Sequence, residues 1–146
     1  LIYKMMKKLL VYLTLLIGIF SFAQSGAKIE FKEETINYGE VEKGKDNGIR
    51  IFEFTNTGDA PLVIKNAKSS CGCTVPEWPK EPIAPGGKGQ IKVQYNMNPG
   101  PISKTITIET NATNKENGMI PLRIKGTVVV KEEVSPLLKK KTFPNS

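Results

Sequence analysis

Cys71 and Cys73, one glycine apart in Ser70-Cys71-Gly72-Cys73-Thr74, are the only two cysteines of the chain. Thiols at this spacing support four kinds of chemistry. They can be small apolar side chains at a strand end. They can form a redox dithiol, because a bond closed across so short a loop is strained and readily reduced. They can offer two thiolates to Cu(I) or Zn. Exposed in an oxidising compartment, they can also pair with another chain. Residues i and i+2 of a strand lie about 6.4–6.8 Å apart at Cα, whereas disulfides prefer about 5.5–6 Å. A Cys71–Cys73 bond therefore needs a bend at Gly72, which glycine permits. Closing a loop this short is worth only about 1–2 kcal/mol of chain entropy, so the bond is expected to be a poor structural staple.

The metal reading is short of ligands. The chain has no histidine, and beyond the first residues only Met97 and Met119 add thioethers. Cys71 and Cys73 are thus the only metal candidates, and no cofactor is expected. Lack of histidine also removes the usual general base at neutral pH and rules out Cys-His or Ser-His pairs. The carboxylates are scattered over turns and strand surfaces, with no pair marked as catalytic. Thiol redox through Cys71 and Cys73 aside, no enzyme is expected. Trp78, within Pro76-Glu77-Trp78-Pro79-Lys80, falls on a stiff, proline-flanked loop. It either covers the core beside the cysteines or serves as an interaction anchor.

The elements that must position these residues read as strands. No segment after Ala23 sustains a 3.6-residue apolar period, whereas alternation with period two recurs. Ile91-Val93-Tyr95, Ile106-Ile108 and Ile120-Leu122-Ile124, running on to Val128 and Val130, each alternate with polar residues. Ile36-Tyr38, the run Ile49 to Phe54, and Leu62-Val63-Ile64 precede them, and Ile29-Phe31 suits a short first strand. Asn56 to Pro61, Pro85 to Gly89 and Asn98 to Pro101 carry turn chemistry. The Pro85 to Gly89 cluster lacks the order of a phosphate loop. The expected fold is all-β: an antiparallel sandwich of seven or eight strands, without helical crossovers. Its core is expected to draw on Ile36, Phe52, Phe54, Leu62, Ile64, Ile91, Val93, Tyr95, Ile106, Ile108, Ile120, Leu122, Ile124 and Val128.

Lys4, Lys7 and Lys8 precede an apolar run from Leu9 to Phe22, which ends in Ser21-Phe22-Ala23. This is the pattern of an export signal, too short to span a bilayer and cleaved after Ala23. Met5 or Met6 suits its start. No cysteine follows the run, so a lipid anchor is not expected. The predicted layout is a signal over 1–23, a short extension over 24–27, the sandwich over 28–130 and a flexible basic tail over 131–146. No transmembrane segment is expected in the mature protein, and the location is periplasmic or extracellular. The net charge of +7 belongs mostly to leader and tail: residues 24–130 hold 14 Lys/Arg against 12 Asp/Glu. With no basic face or aromatic-basic interleaving visible in the sequence, a nucleic-acid partner is not expected.

Several pieces then recur together: Asn37-Tyr38-Gly39-Glu40-Val41, Phe52 to Gly58, Pro61 to Ile64, Ser70 to Pro76, Pro82 to Gly86, and Ile124 to Val128. Over roughly residues 28–130 the chain resembles the family of secreted bacterial proteins known as a domain of unknown function with an immunoglobulin-like sandwich. More loosely it is similar to the sandwich domains of the major-sperm-protein and cilia-associated type. The resemblance implies an immunoglobulin-like fold and, by fold analogy, a binding or scaffolding module. Immunoglobulin domains bridge their sheets with cysteines on two strands. Here both cysteines lie in one segment, so the core must hold by apolar packing. The expected function is an exported, non-enzymatic interaction module for an envelope protein or cell-surface component, with the loop Cys71–Pro85 as contact surface. The alternative is an envelope thiol-disulfide oxidoreductase or Cu(I)/Zn-binding protein acting through Cys71 and Cys73.

Overall fold

The computed structural model describes residues 1–8 and 26–132. The apolar run from Leu9, the cleavage point after Ala23 and the tail lysines Lys139 to Lys141 lie outside the described residues. Residues 2–8 are helical, and no helix among the described residues is long and apolar enough to cross a membrane.

The alternating segments form eight strands: β1 (Ile29–Phe31), β2 (Thr35–Glu42), β3 (Ile49–Asn56), β4 (Ile64–Ser69), β5 (Thr74–Glu77), β6 (Lys88–Tyr95), β7 (Gly100–Thr110) and β8 (Met119–Val129). They make two four-stranded sheets, ordered β1-β3-β6-β5 and β2-β8-β7-β4. Every pairing is antiparallel except β2 with β8. The result is an all-β, immunoglobulin-like sandwich.

All residues expected in the core are buried between the sheets. Ile29, Tyr38, Met97 and Ile102 join them. Phe31 meets Phe54 at 5.5 Å between ring centroids, and Tyr38 meets Tyr95 edge-on at 6.5 Å. Gly89 pairs with Phe54 across β6 and β3, and the Phe54 ring occupies the space that a Cβ at Gly89 would need.

Two details differ from the alternation. Leu62 lies outside β4, in an isolated bridge to Ile83, and the strand runs from Ile64 through the polar Lys65-Asn66-Ala67-Lys68-Ser69. A register shift between Ile64 and Asn66 breaks the period that sequence reading relies on. Thr74–Glu77, read as part of a stiff loop, is strand β5. Proline is tolerated there because β5 ends its sheet and needs a ladder on one side only.

Candidate functional site

β4 ends one sheet and β5 ends the other, so residues 70–73 carry the chain across the side of the sandwich. The start is pinned to β7: Ser70 N–H donates to the Thr105 carbonyl at 2.9 Å, and Thr105 N–H donates to Ser70 Oγ at 3.3 Å. The end is pinned beyond β6, where Asn96 N–H donates to the Cys73 carbonyl at 3.0 Å. Between the pins, Cys71 and Cys73 are joined in a disulfide with 5.4 Å between their Cα atoms. That is below the extended spacing of about 6.4–6.8 Å, so the expected bend is present. Gly72 is not in the left-handed region, and a Cβ there would meet nothing within 4 Å. The bend therefore makes no demand that only glycine meets. Both cysteines are half-buried, and Cys73 packs against the core.

Thr74, next to Cys73, is buried, and its Oγ1 has no hydrogen-bond partner among the described residues. In the disulfide form neither sulfur is a thiolate ligand. Met97 is buried while Met119 is 48% exposed, and Met119 pairs with Glu109 at the start of β8. No group of three His, Cys, Asp or Glu suited to a metal occurs among the described residues.

Trp78 follows β5 directly. It is half-buried against the core cluster, and Lys80 Nζ sits 3.2 Å from its ring centroid. One face of the indole thus covers the core while the ammonium covers part of the rest, an arrangement favoured by the ring quadrupole. Further along, Leu62 and Ile83 exchange backbone hydrogen bonds of 2.8 Å in both directions. The segment from Cys71 to Pro85 is therefore held at Cys73, along β5 and at Ile83. Beside it lies an open recess of about 910 Å³, with Phe31, Phe54, Gly89 and Pro79 in its lining.

Asn56 escaped sequence reading as anything but a turn residue. It is fully buried and ties three segments together. Its Nδ2 donates to the carbonyls of Ala60 at 2.8 Å and Ile83 at 2.9 Å. Its Oδ1 accepts from Gly58 N–H at 3.0 Å and Lys28 N–H at 3.4 Å. The available signal was parity: Asn56 continues the inward series Phe52, Phe54.

A second polar cluster holds the loop before β3. Tyr38 Oη donates to the Gly48 carbonyl at 2.8 Å, and the Arg50 guanidinium stacks 3.9 Å above the Tyr38 ring. Asp46 takes two hydrogen bonds from Arg50. Burial pushes the Tyr38 phenol up to about 12 despite the opposing guanidinium. The hydrogen bond from Arg50 holds the Asp46 carboxyl below its usual range, against partial burial. The cluster is structural in arrangement, since Tyr38 of β2 and Arg50 of β3 each bind the loop between these two strands.

The family model described as "Protein of unknown function (DUF1573)" matches residues 29–128. A protein of unknown function from Porphyromonas gingivalis superimposes with a TM-score of 0.61 at 15% identity, over 74% of this chain and 50% of that one. The chain thus spans half the length of that protein. The ASH/PapD-like domain 7 of human CEP192 superimposes with a TM-score of 0.57 at 11% identity, over 72% of this chain and 87% of that one. An MSP family member of C. elegans gives a TM-score of 0.49 at 17% identity, over 70% of this chain and 99% of that one. No curated protein matches the chain.

Proposed function

The chain belongs to the family described as protein of unknown function (DUF1573), and from that premise we propose an exported, non-enzymatic interaction module. It meets an envelope or cell-surface protein through the segment Cys71–Pro85. The observation that carries this reading is the pinning of that segment. β5 offers a free edge, Trp78 is half-buried on the core, and Ile83 is clamped to Leu62. A partner would dock on backbone that is already ordered, so little conformational entropy is lost on association. Export rests on the leader pattern and agrees with a closed disulfide. Residues 1–23 are removed, and the sandwich is followed by the basic tail from Lys131.

The disulfide between half-buried cysteines supports the rival reading, an envelope thiol-disulfide oxidoreductase. One experiment separates the two. A photo-crosslinking residue at Pro79 should trap a discrete envelope partner in the producing cell, and Trp78→Ala should abolish the adduct. The double Cys71→Ser, Cys73→Ser variant should retain it. Catalytic turnover with glutathione that is lost in either single Cys→Ser variant would establish the rival instead. Mass spectrometry of the same material should show an N-terminus at Gln24; a retained leader would refute export by cleavage.

A further inference from the structure

The two outer faces of the sandwich treat their charges differently. On the β1-β3-β6-β5 sheet, Lys32 pairs with Glu53 at 3.4 Å and Lys92 with Glu77 at 3.2 Å, each across neighbouring strands. On the β2-β8-β7-β4 sheet β8 exposes Met119, Pro121, Arg123, Lys125 and Thr127, of which only Arg123 and Lys125 carry charge, alternating with buried Ile120, Leu122, Ile124 and Val128. Thr35 and Thr105 stand opposite Arg123, and Asn37 and Ser103 stand opposite Lys125. Lys68 of β4 is two strands away, opposite Thr107. No ion pair to Lys68, Lys104, Arg123 or Lys125 occurs among the described residues. The outer-face carboxylates of this sheet, Glu40, Glu42 and Glu109, stand toward its two ends, opposite Thr127, Val129 and Met119.

A recess of about 380 Å³ on this face has Thr35, Ser103, Thr105, Arg123 and Lys125 in its lining. Lys104 stands opposite the buried Ile124 and follows the inward series of Ile102 and Ile106, half-exposed. Like charges this close on one strand oppose each other, and neighbouring strands bring hydroxyls and an amide rather than acids. Such a face is complementary to an anionic ligand.

We propose that this face binds an acidic glycan, a polysaccharide bearing carboxylate or phosphate groups. Arg123 and Lys125 are spaced about 6.8 Å along the strand, and Lys68, level with Pro121, lies roughly 12 Å from Arg123 on the diagonal across two strands. Cations at sugar-scale intervals, with serine, threonine and asparagine between them, match a chain that presents acids and hydroxyls together. A lipid surface would call for apolar side chains entering the bilayer, and the recess presents none beyond the buried Ile124. A single-stranded nucleic acid would call for aromatic stacking platforms, and no aromatic residue lines the recess.

The test uses the protein purified from the envelope of its producing cell and polygalacturonate as probe, with neutral dextran alongside. Calorimetry should show binding to polygalacturonate that weakens with added salt, and none to dextran. The double Arg123→Gln, Lys125→Gln variant should bind roughly tenfold or more weakly, while Lys88→Gln on the opposite sheet leaves binding unchanged. Circular dichroism checks that the variants fold. Equal affinity for dextran, no loss in the double variant, or no binding to polygalacturonate would overturn the proposal. Binding to phosphatidylglycerol vesicles without binding to the glycan would overturn it in favour of a membrane.

Discussion

Truncating Asn56 to Ala should cost about 3–5 kcal/mol, although no apolar packing of consequence is removed. The side chain is fully buried and makes four hydrogen bonds, to Ala60, Ile83, Gly58 and Lys28. Each neutral bond is worth about 0.5–1.5 kcal/mol net, and a buried group left without a partner costs about 1–3 kcal/mol. The Ile83 carbonyl keeps its 2.8 Å bond from Leu62 N–H, and the contact to Lys28 is long at 3.4 Å. The Ala60 carbonyl and the Gly58 N–H therefore bear most of the loss. In a domain of this size that lowers Tm by roughly 12–30 °C. Urea titration should show the midpoint falling with an unchanged slope. Asn37 supplies the control, because its Oδ1 accepts from Gly39 N–H at 2.9 Å at the exposed register shift of β2. Water replaces that bond, so Asn37→Ala should cost less than about 1 kcal/mol. Asn56→Asp adds a pH test. The introduced carboxyl keeps an acceptor but faces two carbonyls, so burial and those dipoles raise its folded-state pKa. Its stability is then greatest below about pH 4, where the unfolded carboxyl also holds its proton, and is lost as pH rises through the raised value. A loss below about 1 kcal/mol for Asn56→Ala, or an Asn56→Asp variant whose stability does not fall with pH, would refute the reasoning.

Ile106 is fully buried in mid-β7, so Ile106→Ala should cost about 2–5 kcal/mol in the same titration; less than about half a kcal/mol would contradict its inward placement. Replacing Cys71 and Cys73 together by Ser should cost at most about 1–2 kcal/mol, because the bond closes a loop of so few residues. Unfolding of that variant would show that the crossover depends on its sulfur. The Tyr38 phenol, raised by burial to about 12, makes the fold sensitive to alkali. Its contribution is complete below about pH 10, the value for an unfolded tyrosine, and is lost as pH rises toward the folded value. Ultraviolet titration should show a late-ionising phenol, and that late step should vanish in Tyr38→Phe.

Local chemistry was sufficient where period and parity are unbroken. The β3, β6, β7 and β8 core follows from alternation, since in a sheet with one face buried every second side chain must be apolar. The bend at Cys71–Cys73 was legible only on condition that the two sulfurs bond, which the sequence left open, because strand spacing holds their Cα atoms too far apart for a disulfide. Tertiary structure alone decided the rest. Thr74–Glu77 becomes a strand because it finds the free edge of β6, the next strand of the chain, across the proline-rich connection that follows it. β2 pairs in parallel with β8 across most of the chain, and no local signal encodes a pairing of ends. Asn56 reads as a turn residue until three segments converge on its amide. The unpaired cations of the outer face are dispersed among lysines in the sequence. They become one surface when strand register sets Arg123 and Lys125 beside Ser103 and Thr105. Burial and charge pairing depend on what lies across the sheet, and one strand's residues do not specify its neighbour.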